Sequence, residues 1–317
     1  MRAGGRTVAL TNYHVVRPAV EGFRVGVVDH EVKLGESVKR GTMGSPVKDS
    51  ALWKADIKGL FPKDAEKHKN MEHPARSKHN FTVEIMREPI RQVSPTRRPD
   101  HQKRLDEQIA FFDGDKQYLG RVWFASGYTQ RTGTNGRLDW ALVVPTDEGE
   151  KRIGGNILPR EENWEAKYYY NYPKPWTYGG NLKQQARSIH DAKNGDRMFK
   201  IGASTTSTMG TFSDIKPDCI ISEERYMVGR REAELRSSEY MFVDVVGIAR
   251  KEIFGNRGDS GSIVWDDEGR AMGLLFTGQT PHQTEERYCL VTPIEDVFKS
   301  IKEMSGGNIE DIRIAGG

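Results

Sequence analysis

The sequence predicts an all-β fold built from closed barrels or sandwiches. Its 33 glycines fall mainly between short apolar runs, a pattern typical of chains with many turns. The runs are short and rich in β-branched residues, with Gly, Asp and Asn at their joints, which disfavours an alternating βαβ sheet. Hydrophobic residues make up 36% of the 317 residues, and they are clustered, so a core can form.

Composition restricts the classes of function and the compartment. The formal net charge of +3 is close to neutral and does not favour a nucleic-acid partner. No stretch approaches 18 consecutive apolar residues and no signal peptide is visible, so we expect no membrane span and a cytoplasmic location. Two cysteines, Cys219 and Cys289, favour a reducing compartment or a fold that needs no disulfide. We prefer two free, buried thiols, although a single bridge between them stays open.

The chain divides into three predicted regions. Residues 1–150 form an N-terminal barrel, 151–197 a connection, and 198–317 a C-terminal barrel with a closing helix. The predicted strands are 6–16 (ending at His14), 25–28, 118–126, 138–144, 198–203, 208–212, 218–222, 240–248, 262–265, 271–277 and 287–291. Apolar residues at 294, 297, 298 and 301 predict an amphipathic helix over 293–303, with Thr292 as its cap.

Two segments interrupt the strand pattern. Residues 39–106 are rich in Lys, Arg, His and Pro, which predicts a charged surface insertion, partly helical or disordered. The insertion contains His68, His73 and His79 without cysteine or ligand-like spacing, so we expect no metal and no cofactor. The aromatic run Tyr168–Tyr178 is expected to pack over a barrel, with base stacking or peptide binding as the alternatives.

The strongest chemical motif is Gly258-Asp-Ser-Gly-Ser262, followed by an apolar strand. A serine hydroxyl becomes a good nucleophile only when a base removes its proton and the developing oxyanion is stabilised. A glycine two residues before Ser260 lets the backbone turn, so that the amides of Gly258 and Ser260 can point at one oxygen. The alternative interpretation is an ordinary turn between two strands.

Two further residues fit the same chemistry. His14 ends an apolar run, Thr11-Asn-Tyr-His-Val-Val16, and can act as a general base if an acid holds its other ring nitrogen. Asp139 lies in the run Leu138-Asp-Trp-Ala-Leu-Val143, where a carboxylate is costly to bury without a partner. Taken singly, a structural histidine and a strand-start aspartate remain open for these positions.

Together these motifs resemble the chymotrypsin/trypsin-like serine peptidases, especially their disulfide-free intracellular and bacterial branch. The order His, Asp, Ser is that of this group. Lys200–Gly210 resembles a hairpin of the family's second barrel, Gly273–Gly278 its pocket-lining strand, and Val291–Ile294 its closing element. The resemblance implies two six-stranded antiparallel β-barrels and a C-terminal helix. Only about 13 residues precede His14, so we expect either that the first barrel is incomplete at its N-terminus or that another segment completes it.

The resemblance also implies a function and a set of site residues. His14, Asp139 and Ser260 would form the catalytic triad of a serine endopeptidase acting on a protein or peptide substrate, with Gly258 and Ser260 as the oxyanion hole. By the same resemblance the substrate-binding residues would be Phe254, Phe276, Thr277 and Gly278. An uncharged Phe254 favours a small or apolar side chain at the cleavage position.

Two alternatives come from other classes of protein. A catalytically silent barrel of the same fold would act as a protein-binding module. An α/β-hydrolase esterase needs Gly-x-Ser-x-Gly, but position 262 is serine, and only His282 follows Ser260. The second alternative is remote. The sequence does not define an oligomeric state.

Overall fold

A computed structural model of the chain describes most of the barrel region. The described residues are 1–17, 51–63, 70–73, 75–92, 94, 96–160, 179–220, 236–246, 251–256, 258–278 and 288–315. The predicted strand at 25–28, the aromatic run at 168–178 and His68 lie outside them.

The described chain is mostly β-structure. The strands are β1 (Arg2–Ala3), β2 (Arg6–Thr7), β3 (Ala9–Thr11), β4 (Met71–Glu72), β5 (Tyr118–Ala125), β6 (Ala141–Pro145), β7 (Arg197–Gly202), β8 (Thr206–Ser213), β9 (Asp218–Ile220), β10 (Arg236–Ser238), β11 (Tyr240–Val246), β12 (Lys251–Glu252), β13 (Ile263–Asp266), β14 (Ala271–Gly278), β15 (Tyr288–Pro293) and β16 (Ile312–Arg313). The helices are α1 (Tyr13–Val16), α2 (Ala51–Lys58), α3 (Arg76–Gln92), α4 (Arg98–Asp113), α5 (Asp147–Glu150) and α6 (Ile294–Met304).

The second half forms a closed six-stranded barrel. Its strands follow the order β11-β15-β14-β13-β7-β8, and β8 pairs with β11 to close the circle. Phe242 on β11 illustrates the closure, since it pairs with Cys289 on one side and with Phe212 on the other. Inward-facing apolar side chains fill the interior, among them Met198, Phe212, Phe242, Phe254 and Val291.

The first half forms a half-barrel rather than the complete barrel that the family resemblance implies. Four antiparallel strands follow the order β3-β6-β5-β4, with Leu10 opposite Leu142 and Val143 opposite Val122. The prediction of two six-stranded barrels is therefore confirmed for the second barrel, whereas the described residues of the first form this four-stranded sheet and contribute β1 and β2 to a small sheet with β16.

Helix α2 packs against the half-barrel. Leu52 and Ala55 lie one helical turn apart and bury the same face against Tyr13 and Val16. Leu60 also belongs to this core, and it pairs with Ala125, the last residue of β5. The expectation that the whole of 39–106 is a surface insertion is thus wrong for residues 51–60, because their apolar spacing buries them in the core.

Helices α3 and α4 form a hairpin within the rest of this insertion. His79 on α3 stacks on Phe112 of α4, with ring centroids 3.7 Å apart. Lys78 donates from Nζ to the carbonyl oxygen of Ala203 at 3.0 Å, so the hairpin reaches the second barrel. No helix among the described residues combines the length and apolar character needed to cross a membrane.

Helix α6 joins the two halves through a shared core. Its residues Ile294, Val297 and Ile301 are fully buried, and burying each such side chain stabilises the fold by about 1.5–3 kcal/mol. Trp140, adjoining β6, donates from Nε1 to the hydroxyl of Ser300 at 3.1 Å. Thr292 does not cap the helix as predicted. Pro293 occupies the N-cap position.

Both cysteines are free. Cys289 is buried and Cys219 is half-buried, so the prediction of two free thiols is confirmed and the alternative of a bridge between them is wrong. Burial raises the pKa of Cys289 to about 12 and that of Cys219 to about 11, which makes both thiols poor nucleophiles.

Candidate active site

The imidazole of His14 lies in direct contact with the carboxylate of Asp139. His14 belongs to the single helical turn α1 that follows β3, rather than ending the strand itself. Its Nδ1 is 2.7 Å from Oδ2 of Asp139, and its backbone amide donates to Oδ1 at 3.0 Å. The same carboxylate therefore fixes both the ring and the main chain of His14. The imidazole remains 28% exposed, so its second nitrogen can be reached.

Asp139 is fully buried, and Arg137 provides it with a cationic partner in addition to the imidazole of His14. A guanidinium nitrogen of Arg137 lies 3.2 Å from Oδ2, the oxygen that also contacts His14. Burial alone would raise the pKa of Asp139, but the charges of Arg137 and His14 and the hydrogen bonds from His14 hold it below its usual value. Asp139 is therefore ionised at neutral pH and can orient an imidazole.

A buried cluster of Tyr13, Arg17 and Asp56 supports the turn that carries His14. The hydroxyl of Tyr13 donates to Asp56 at 2.7 Å, and Arg17 makes two hydrogen bonds of 2.8 Å to the same carboxylate. Tyr13 precedes His14 and Arg17 follows it by three residues, while Asp56 belongs to helix α2. Because a bidentate arginine–carboxylate pair has a defined geometry, this cluster fixes the position of α1.

Ser260 lies in a tight turn between Asn256 and β13. Gly258 and Gly261 have φ values of 92° and 90°, a region that favours glycine. The amide of Gly261 donates to the carbonyl of Leu275 at 2.9 Å, and the hydroxyl of Ser260 donates to the carbonyl of Phe276 at 3.3 Å. Over the described chain, the amides of Gly258 and Ser260 donate no hydrogen bond, so both are available to a ligand oxygen.

A buried ion pair between Lys200 and Asp259 stabilises the Ser260 turn. Asp259 accepts an ionic contact from Lys200 at 3.1 Å, and both side chains are fully buried. The hydroxyl of Thr205 lies between them, 2.5 Å from Lys200 and 2.6 Å from Asp259. Burial alone would raise the pKa of Asp259, but the hydrogen bond from Thr205 and the charge of Lys200 lower it below its usual value. Amides of Ser204 and Asn256 also donate to this carboxylate.

Close contacts bring the Ser260 turn against the part of the chain that carries His14. A Cβ placed on Gly261 would lie 2.6 Å from the hydroxyl of Thr11, three residues before His14. Thr292, on the second barrel, donates to the carbonyl of Arg137 at 2.9 Å. The guanidinium of Arg137 also lies 5.4 Å from the centre of the Phe276 ring. The half-barrel and the barrel therefore meet close to His14, Asp139 and Ser260, although no hydrogen bond among the described residues joins His14 to Ser260.

The four predicted substrate-binding residues differ in their exposure. Phe254 is fully buried inside the barrel, and its carbonyl accepts a hydrogen bond from Thr208 at 2.6 Å. Phe276 is 5% exposed, Thr277 is exposed, and Gly278 ends strand β14. Substrate contact by all four stays a prediction, and for Phe254 such contact requires the barrel interior to open.

Sequence reasoning missed Arg137 and the ionic role of Lys200. Arg137 lies two residues before Asp139, and a basic residue so close to a carboxylate that needs a partner is a signal that could have been followed. Lys200 belongs to the Lys-x-Gly pattern, yet nothing in that pattern indicates that its partner is Asp259. Three described residues outside the predicted triad contact carboxylates of the site. Arg137 contacts Asp139, while Lys200 and Thr205 contact Asp259.

Comparison with known proteins supports a peptidase. The family model for Peptidase family S64 matches residues 170–309, which is less than half of the chain. No curated protein sequence matches. The family match and the closed barrel support a chymotrypsin/trypsin-like peptidase fold family, so the resemblance noted in the sequence is confirmed at this level.

Several solved structures are similar to the chain at low sequence identity. A chymotrypsin of Cellulomonas bogoriensis is 14% identical, with 62% of this chain and 76% of that one covered and a TM-score of 0.33. Protease A of Thermobifida fusca is also 14% identical, with 57% and 72% covered and a TM-score of 0.33. A glutamic acid specific serine protease has the same identity and TM-score, with 58% and 72% covered. At these TM-scores the similarities carry no argument about mechanism.

Proposed function

We propose that this protein is a serine endopeptidase that uses His14, Asp139 and Ser260 as a catalytic triad. The observation that carries the proposal is the 2.7 Å contact between Nδ1 of His14 and Oδ2 of the buried Asp139. This contact leaves Nε2 of His14 as the nitrogen that would receive a proton. A fully buried, ionised carboxylate needs a polar partner, and here the principal partners are His14 and Arg137.

The reaction would follow the acyl-enzyme route. Nε2 of His14 takes the hydroxyl proton of Ser260 while Oγ attacks the carbonyl carbon of the peptide bond. Asp139 holds the tautomer of His14 and stabilises its protonated form. The imidazolium then gives its proton to the leaving amine, and the carbon–nitrogen bond breaks. A water molecule, deprotonated by His14, attacks the acyl group, and His14 returns this proton to Oγ of Ser260 as the bond between Oγ and the acyl carbon breaks.

The Ser260 turn supplies the groups that would stabilise the oxyanion. The amides of Gly258 and Ser260 have no partner in the described parts of the chain, as an unoccupied oxyanion hole requires. Each such donor is worth on the order of 3 kcal/mol in the transition state. The ion pair between Lys200 and Asp259 would hold the turn in this conformation without a cation from elsewhere.

The hydroxyl of Ser260 must change partner before it reacts. It now donates to the carbonyl of Phe276 at 3.3 Å, a long hydrogen bond. A rotation about χ1 of Ser260 would release this weak bond and redirect the hydroxyl toward His14. Hydrogen bonds in catalytic sites commonly tighten only when substrate binds.

This same hydrogen bond favours the second candidate function, a protein-binding module. In that case Ser260 keeps the Phe276 carbonyl as its permanent partner and the site does not turn over. The half-barrel would then serve as a surface for a protein ligand. The two functions differ in the reactivity of one hydroxyl.

Labelling with a fluorophosphonate separates the two functions. The parent protein is expected to be labelled at Ser260, as located by peptide mass spectrometry, and Ser260→Ala should not be labelled. Ser262→Ala is the matched control, because its hydroxyl only donates to the carbonyl of Asp259 within the turn. That variant is expected to remain labelled. A folded parent protein that takes no label contradicts the peptidase proposal and supports the binding module.

A further inference from the structure

Arg137 connects the two halves of the candidate active site. Its guanidinium contacts Oδ2 of Asp139 at 3.2 Å, while His14 contacts the same oxygen at 2.7 Å. The guanidinium also lies 4.9 Å from the ring centre of Tyr128 in the first half and 5.4 Å from that of Phe276 in the second. Arg137 is 18% exposed at its side chain, so solvent screens its charge only partly.

The main chain of Arg137 is tied to the second barrel on both sides. Its amide donates to Glu239 at 3.1 Å, and its carbonyl accepts from Thr292 at 2.9 Å. These contacts, with the two aromatic rings, hold the guanidinium in one place. A cation fixed in this way exerts a constant field on the carboxylate and on the imidazole beyond it.

We propose that Arg137 is a positioning residue that sets the lower pH limit of Ser260 reactivity by neutralising part of the Asp139 charge seen by His14. This inference rests on the proposed peptidase function. A carboxylate with a fixed cation beside it stabilises an imidazolium less than an unpaired carboxylate does, since the two charges oppose each other at the ring.

Other charged and titratable groups around this site have to be separated from Arg137. Arg17 and Asp56 form a buried ion pair, so their net charge is zero. Burial raises the pKa of Tyr128 far above neutrality, and it raises that of Cys219 to about 11, so both stay uncharged in acid.

Glu239 is the exception among these neighbours. Burial raises the pKa of its carboxyl despite the hydrogen bonds from Ser237 and from the amide of Arg137. Glu239 therefore gains or loses its proton closer to the pH range of the assay than an exposed carboxyl would. It requires its own control variant.

The test measures the rate constant of fluorophosphonate labelling at Ser260 between pH 4.5 and pH 9. Arg137→Met removes the charge and keeps a long side chain, and its acidic limb is expected to move upward by about one pH unit. Arg137→Lys keeps the charge, and its acidic limb should stay within about 0.3 pH unit of the parent. Glu239→Gln should leave the shift caused by Arg137→Met in place.

A second arginine provides the matched control. Arg152 also lies over an aromatic ring, Phe111, and donates to backbone carbonyls, but it has no contact with Asp139. Arg152→Met should leave the profile unchanged. Circular dichroism confirms that each variant is folded.

Different outcomes overturn different statements. A parent protein without labelling at Ser260 contradicts the proposed function and this inference with it. Normal parent labelling, with Arg137→Met reduced at all pH values and no movement of the acidic limb, overturns only the role of Arg137. If Arg137→Met does not fold, Arg137→Lys alone tests the inference. An acidic limb of the Ser260 labelling profile that moves by about one pH unit in Arg137→Lys, although the charge is retained, contradicts the inference.

Discussion

Replacement of Lys200 by methionine is the most direct test of what holds the Ser260 turn. The side chains of Lys200 and Asp259 are fully buried and lie 3.1 Å apart. At an effective dielectric constant of about 20, two unit charges at this distance attract by about 5 kcal/mol. Methionine has a similar length, so packing is largely kept, while the carboxylate of Asp259 loses its charged partner.

The expected cost of Lys200→Met is about 3–5 kcal/mol in the free energy of unfolding, as for other broken buried pairs. Hydrogen bonds from Thr205, Ser204 and Asn256 remain and set the lower end of this range. Urea unfolding measures the change, and fluorophosphonate labelling measures the state of Ser260. The double variant Lys200→Met/Asp259→Asn should recover part of the stability, since no unpaired charge remains. A loss below about 1 kcal/mol in the single variant would refute the reasoning.

Three other predictions concern the same site. Asp139→Asn should slow labelling of Ser260 by about 10³–10⁴-fold, because the amide favours the wrong tautomer of His14, and an unchanged rate would contradict the triad. The difference in free energy of unfolding between the parent and Asp259→Asn should be constant from neutral pH to about pH 4 and shrink below it. The reason is that a carboxyl whose pKa lies below its usual 3.8 stabilises the fold above that value and loses the effect as pH falls through the folded pKa. Urea unfolding that shows a difference already shrinking near pH 6 would oppose this. Gly261→Ala should abolish labelling, since its Cβ would lie 2.6 Å from the Thr11 hydroxyl at a φ of 90°, whereas full labelling would show that the turn can shift.

The strand pattern follows from local sequence, whereas the pairing of His14 with Asp139 followed from the family resemblance. Strands predicted at 198–203 and 271–277 are observed at Arg197–Gly202 and Ala271–Gly278, and the helix predicted at 293–303 at Ile294–Met304. Short apolar runs predict these strands, and helical spacing of apolar residues predicts the helix. The identity of the acid beside His14 was predictable too, because an aspartate in an apolar run needs a polar or cationic partner.

The rest depends on contacts between distant parts of the chain. Helix α2 lies in a basic, polar stretch whose composition resembles a surface loop, yet two apolar positions and Asp56 are enough to dock it. Lys200 and Asp259 are 59 positions apart, so no local pattern pairs them. Arg137 was overlooked because a guanidinium beside a triad aspartate has no counterpart in the quoted motifs. Charge pairing is the common element in these omissions, and for Lys200–Asp259 and Arg17–Asp56 the two partners are distant in sequence.

The common core beneath the cleft has a consequence for how the protein can be divided. Trp140 and Leu142 from the half-barrel, Phe199 and Trp265 from the barrel, and helix α6 share one apolar interior. A chain cut between the halves would expose the apolar surface of each half to water, and neither piece would hold its reactive residues in place. Any graft or fusion made for engineering must therefore carry both halves together, with the closing helix attached.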